Sequence, residues 1–254
     1  TVDVSPLAVV DAVVLPRAHL YHSGYLPRLF KDRFRGEVFA TEASADLLYL
    51  LLTDAGHLQE EEASFHRKRG TSKHKPALPL YTAAEGREAA RQVRGLRYET
   101  ETEIAPGFSL RLRRAGHILG SASALLQITT GRSTTRILFS GDVGRYGAAI
   151  LPDPQPAGAA DFVVVESTYG DRRHDPRPVQ EQLEKIVLRA AEQKGAIIVP
   201  AFAVGRTQEL MFHLSHLEQD GRIPSLPAFV DSPMAVNATE IYCRHPEEFE
   251  GDMR

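Results

Sequence analysis

The stretch Val9-Val10-Asp11-Ala12-Val13-Val14-Leu15-Pro16-Arg17-Ala18-His19-Leu20-Tyr21-His22 decides how the rest of the chain is read. Val9 to Leu15 is rich in β-branched apolar residues and bounded by polar ones, the pattern of a buried strand. Pro16 breaks it, and titratable side chains follow at once. If the chain stays extended, period two puts Arg17 and His19 on one face, and His22 falls at the following turn beside a helix start at Ser23. A buried strand that runs directly into such a cluster is how α/β layers place chemistry, on loops held by a rigid scaffold.

Working outward, the same grammar recurs. Strands are expected at Glu37–Ala40, Ser109–Arg113, Ala124–Thr129, Arg136–Phe139, Asp161–Val165, Ala196–Val199 and Ala228–Val230. Helices are expected through Leu26, Leu29 and Phe30, over Ser44–Ala55, from a Thr82/Glu85 capping box to about Arg94, over Val179–Ala190 with Gly195 at its C-terminal cap, over Thr207–Leu217, and over Val236–Cys243. His57 to Pro79 reads as a long polar excursion. After Glu166 helix and strand alternate strictly, which predicts a second unit of parallel βα character, with a boundary near Pro178. The expected architecture is therefore α/β, with residues 1–178 as one domain and 179–254 as part of another.

Composition narrows the functional classes. With 254 residues the chain can bury a core without staples, and 43% hydrophobic with 25% charged residues excludes bulk disorder. Its single cysteine, Cys243, excludes an internal disulfide and fits a reducing, cytoplasmic compartment. No apolar run reaches membrane-spanning length. The net charge of −3 does not announce nucleic acid. Ten histidines against one cysteine mean that any bound metal takes imidazole and carboxylate ligands. The chain opens on Thr1 and enters a strand pattern almost immediately, as a processed product or a fragment would.

Four strand ends hold the candidate residues. They are Arg17 to His22, then Gly116-His117-Ile118-Leu119-Gly120-Ser121-Ala122, then Phe139-Ser140-Gly141-Asp142-Val143-Gly144-Arg145, and then Glu166-Ser167-Thr168-Tyr169-Gly170-Asp171. Any one of them alone is more often a turn or a cap than a functional residue. Three histidines and an aspartate converging there would suit zinc.

In this order the clusters resemble the metallo-β-lactamase superfamily, and within it the β-CASP branch of RNA-processing nucleases. The runs Ser72-Lys73-His74-Lys75-Pro76-Ala77-Leu78-Pro79, Pro200-Ala201-Phe202-Ala203-Val204-Gly205-Arg206-Thr207-Gln208-Glu209 and Asp231-Ser232-Pro233-Met234-Ala235 extend the resemblance over nearly the whole chain. The last two runs are particular to the β-CASP branch and argue against a small-molecule ester or thioester hydrolase. The resemblance implies an αββα sandwich with an inserted β-CASP domain, each present in part. It also implies a two-zinc phosphodiesterase, in which a metal-held hydroxide attacks phosphorus. Carried over residue by residue, His19 and His117 would hold one zinc, His22 the other, and Asp142 would bridge them. Glu166 would tune a proton-donating histidine. RNA and a second copy of the chain are the implied partners.

The departures carry equal weight. The family motif is His-x-His-x-Asp-His, and this chain has Arg17 in place of the first His and Tyr21 in place of the Asp. A guanidinium offers no lone pair and stays protonated, so Arg17 cannot bind zinc and is expected to pair with Asp142 instead. Tyr21 would bind metal only as a phenolate, from an ordinary pKa of about 10. Zinc is therefore expected at reduced occupancy or not at all, with RNA hydrolysis weak or lost. The competing reading is a non-catalytic relative that binds RNA or a catalytic partner.

For RNA contact, His66 to Lys75 concentrates five formal positive charges in ten residues, Lys73 among them. Without the resemblance it reads rather as a solvated loop balanced by Glu60, Glu61 and Glu62. Gly205-Arg206-Thr207 opens a helix whose N-terminal N–H groups would suit a phosphate, although an ordinary Thr cap looks the same. Ser232 sits at a strand-to-helix turn that would contact RNA or simply turn the chain. His57, His174, His213, His216 and His245 lack partners at ligand spacing.

Overall fold

The computed structural model describes residues 10–156, 158–173 and 175–249. Val9 and His174 lie outside the described residues. The chain divides into two compact units: one runs through Tyr146 and includes Pro152–Glu166, and the other comprises Gly147–Leu151 and the residues from Ser167 onward. Ser167–Pro178 contains no strand or helix among its described residues, so sequence pattern alone does not say which unit claims it.

In the first unit β1 (Ala12–Val14), β2 (Glu37–Thr41) and β3 (Val93–Leu96) form a parallel sheet in that order. Parallel neighbours need long crossovers. The first crossover carries α1 (Leu20–Ser23) and α2 (Leu26–Lys31), the second α3 (Glu42–Arg69) and α4 (Ala83–Arg91). A second sheet has β4 (Thr102–Ala105), β5 (Phe108–Arg114), β6 (Ala122–Thr130), β7 (Ser133–Phe139) and β8 (Phe162–Val164). Its pairings are antiparallel except β7 with β8. Period-two alternation sends Leu110, Leu112, Ala122 and Ala124 from this sheet against Phe39 and Leu96 of the first, all buried. The helix α3 lays Leu47, Leu48, Leu51 and Leu52 inward, at helical spacing. The described part of the unit is thus a helical layer and two stacked sheets.

The junction of α3 and α4 is close enough to require glycine. A Cβ at Gly86 would lie 2.8 Å from the carbonyl carbon of Leu52. Thr82 accepts the Glu85 N–H at 3.2 Å while Glu85 accepts the Thr82 N–H at 2.8 Å, the reciprocal cap that the sequence announces.

Three expectations need correction. The helix expected to end at Ala55 continues to Arg69, so the excursion begins only at Gly70, in left-handed conformation at φ 66°. The residues beyond Ala55 are polar but mostly strong helix formers, and His57–Glu61 and Glu62–His66 pair at i,i+4. The strands β3 and β4 have no counterpart among the expected elements, because four-residue segments such as Val-Arg-Gly-Leu carry too little alternation. Ala196–Val199 and Ala228–Val230 are not strands: neither pairs with a neighbour among the described residues, and Ile198 and Phe229 are 92% and 88% exposed. An apolar run becomes a strand only where a ladder accepts it.

The second unit contains α5 (Val179–Glu192), α6 (Arg206–Gln219) and α7 (Pro233–Arg244). Val187, Leu217 and Ile223 form its small core, with Leu183 and Leu214 against them. No helix among the described residues is long and apolar enough to cross a membrane.

Candidate functional site

Backbone hydrogen bonds stitch the strand ends of the first unit together. Ala122 N–H donates to Pro16 O at 2.8 Å, tying the end of β1 to β6. Gly144 N–H donates to Ala115 O at 2.7 Å, tying the Asp142 loop to the His117 loop. Ser140 N–H reaches Val164 O at 2.9 Å, and Glu166 N–H donates to Ser140 Oγ at 3.0 Å. Ser121 Oγ accepts the N–H groups of His117 and Ile118, at 2.9 and 3.2 Å. Gly120 has φ +74°, and its carbonyl accepts Thr41 Oγ1 at 2.6 Å and Ser44 Oγ at 2.8 Å, pinning the His117 loop to the start of α3. A serine four residues after a glycine-preceded histidine is the only sequence signal for this clasp.

The structure brings His19, His22, His117, Asp142 and Glu166 to this one end of the two sheets, with Arg17 and Tyr21 among them. Arg17 is 0% exposed and forms an ion pair with Asp142. Its guanidinium N–H groups have no well-aligned hydrogen bond among the described residues, so this ion pair is the closest polar contact recorded for them. Burial draws the Arg17 pKa below its ordinary value, while Asp142 and Glu166 counteract that loss. Tyr21 donates its phenolic O–H to Asp142 Oδ2 at 3.1 Å, and His22 Nε2 lies 3.4 Å from Asp142 Oδ1. The Arg17 guanidinium also sits over the Tyr21 ring, 4.5 Å from its centroid. His19 and His117 meet edge to face at 5.9 Å between ring centroids. Burial first, then the charges of Arg17 and His117, push the His19 imidazole down to about 4. Burial and Arg17 lower His22 as well, against the pull of Asp142. Glu166 Oε1 accepts the Val143 N–H at 2.8 Å and so braces the loop that carries Asp142.

The remaining candidates lie elsewhere. Lys73 sits on the exposed loop after α3. In the second unit Arg206 pairs with Glu209 at 2.7 Å, Thr207 Oγ1 donates to Phe202 O at 2.9 Å, and Ser232 Oγ accepts the Ala235 N–H at 3.2 Å as the cap of α7. Gln208, not singled out in sequence, is buried there: its Nε2 donates to Thr239 Oγ1 at 2.9 Å and Ala203 O at 3.1 Å. Among the other histidines, His57 pairs with Glu61, His245 with Glu247, and His216 Nδ1 lies 3.0 Å from Phe212 O.

The donor set does not fit two zinc ions. A catalytic zinc takes three protein ligands and a structural one four. Here a permanent cation is seated on Asp142, the ligand both ions would share, and Tyr21 donates a hydrogen bond to the same carboxylate. Among the described residues no group of three or more His, Cys, Asp or Glu is placed to hold a metal.

The Beta-Casp domain family matches residues 207–254. Over 237 residues, 92% of this chain, the sequence is 36% identical to Ribonuclease TTHA0252 of Thermus thermophilus. It is 34% identical over 257 aligned positions, 99% of the chain, to transcription termination factor FttA of Methanosarcina mazei. The FttA of Cenarchaeum symbiosum is 32% identical over 94% of the chain. With a mixed α/β fold and the strand-end motifs in order, the chain belongs to the β-CASP metallo-β-lactamase family. It spans 49%, 38% and 35% of these relatives, about half of their length or less.

Proposed function

We propose that this chain serves RNA processing by holding RNA rather than by cutting it with zinc. The observation that carries the reading is the buried Arg17 guanidinium on Asp142. A bridging carboxylate already neutralised by an internal cation has little left to offer a divalent ion, and a second cation would be repelled by the first. RNA as the ligand is supported by the family and by the names of its relatives, a ribonuclease and transcription termination factors. The basic end of α3 with Lys73 supplies phosphate contacts, and Arg206 and Thr207 at the start of α6, with Ser232 at the start of α7, are further contact points in the second unit. Glu166 fixes the Asp142 loop.

Metal content and RNA decay test this directly, on the whole protein that carries the chain. The expected result is salt-dependent RNA binding, zinc well below one ion per chain, and no decay of labelled RNA on zinc addition. One or two tightly held zinc ions, or decay that a chelator abolishes, would overturn the proposal.

A further inference from the structure

We propose that Tyr21 is a stacking platform for an unpaired nucleobase. The inference rests on the RNA-holding reading and gives it a contact. Tyr21 is 72% exposed although it stands at the centre of the site. It is also held in place. Its O–H is anchored on Asp142 at 3.1 Å, and one ring face is backed by the Arg17 guanidinium at 4.5 Å. His19 lies nearly parallel to it, at an interplanar angle of 20° and 5.4 Å between centroids. His22 tilts against the ring as well, at 46° and 4.7 Å between centroids, and the 72% of Tyr21 that stays exposed is the surface open to a ligand.

A large aromatic surface clamped at its polar end loses little further freedom when a flat ligand settles on it, which lowers the entropic penalty of binding. Nucleobases in single strands present such a face, whereas bases in a duplex are already stacked and paired. The contact is indifferent to base identity, because every base has a π-face. The pairing that spoils the zinc site therefore also orients the platform: Asp142 fixes the phenol, and Arg17 supports the ring.

Binding of fluorescently labelled single-stranded RNA, single-stranded DNA of the same sequence and an RNA duplex would be measured for wild type, Tyr21→Ala, Tyr21→Phe and Lys68→Glu/Lys73→Glu. Loss of one stacked base predicts that Tyr21→Ala weakens single-strand binding by about 5-fold to about 100-fold. Tyr21→Phe keeps the ring and loses only its clamp, so it should weaken binding by about 2-fold to about 5-fold, less than Tyr21→Ala. The salt slope should be unchanged in Tyr21→Ala and reduced in the lysine variant, because stacking releases no counterions. Duplex binding should not respond to Tyr21→Ala. The RNA and DNA arms separate the two sources of the same base chemistry. These 254 residues hold no tryptophan, so Tyr21→Trp adds a reporter at the site whose emission, read as the difference from wild type, should be quenched as single-stranded RNA saturates it. Normal RNA binding by Tyr21→Ala, or an unquenched Tyr21→Trp that still binds, would overturn the platform and leave the RNA-holding reading intact. Equal losses in Tyr21→Ala and Tyr21→Phe would also overturn it, since the O–H rather than the ring would then matter. No RNA binding by wild type would overturn both.

Discussion

Arg17→Met and Asp142→Asn, alone and together, measure what the internal cation does for the fold. Methionine keeps most of the apolar stem that Arg17 buries and removes the charge. Breaking a buried pair from one side leaves the other charge uncompensated, at about 3–5 kcal/mol. Arg17→Met should fall near or below the bottom of that range, about 2–3 kcal/mol, because the Asp142 side chain keeps 18% exposure, the Tyr21 hydroxyl and nearby His22. Asp142→Asn should be the worse single change, about 3–5 kcal/mol, since it strands a guanidinium that is 0% exposed. The double variant buries no unpaired charge and should lose about 2 kcal/mol or less, milder than Asp142→Asn alone. Urea unfolding of each protein gives the four free energies. If the two single costs simply add, within about 0.5 kcal/mol, then Arg17 and Asp142 are not coupled and the reasoning fails.

Other outcomes follow from the same geometry. Arg17→His combined with Tyr21→Asp restores the donors of the family motif and frees Asp142, so the double variant should take up zinc that wild type does not; metal analysis after dialysis reads it, and an empty double variant would show that more than these two residues prevents binding. Gly120→Ala needs a Cβ 2.7 Å from Ser44 Oγ and 2.8 Å from Thr41 Oγ1 at a φ of +74°, and should destabilise by about 3 kcal/mol or more. An unchanged melting temperature would mean that the clasp on α3 gives way freely. The Thr82 N–H, and then Lys31, hold Glu85 below the ordinary carboxylate value of 4.5. Its stabilisation is therefore complete above that value and is lost as pH falls through the lower folded pKa. Glu85→Gln should flatten that part of the stability-against-pH curve, and an identical acid limb would remove the cap from the account.

What the sequence displayed and what it hid divide along physical lines. The alternating strand β5, the apolar run within β6 and the Thr82/Glu85 cap are local signals and were legible. The tail of α3 was not, because a solvated helix carries no apolar stripe beyond Ala55. The apolar runs at 196–199 and 228–230 look like strands because periodicity reports hydrophobicity and not the presence of a ladder. At the site, the attraction of Arg17 to Asp142 was legible as charge chemistry. The hydrogen bond from Tyr21 to the same carboxylate joins residues 121 apart in sequence, and no pattern announces it.

The helix α3 begins at the clasp on the His117 loop and ends beside the basic run that leads to Lys73. Its 28 residues make a rod of about 42 Å at 1.5 Å each. That is about five screening lengths at physiological salt, so charges at the far tip cannot be felt at Tyr21. On the proposed reading the two ends are separate footholds joined by a rigid spacer. An oligonucleotide too short to span the rod engages one end at a time. A longer one is held at both, and the second contact forms at the high local concentration set by the first. Affinity should then rise with RNA length as a step rather than a slope, and the length at which it rises reports the length of the helix.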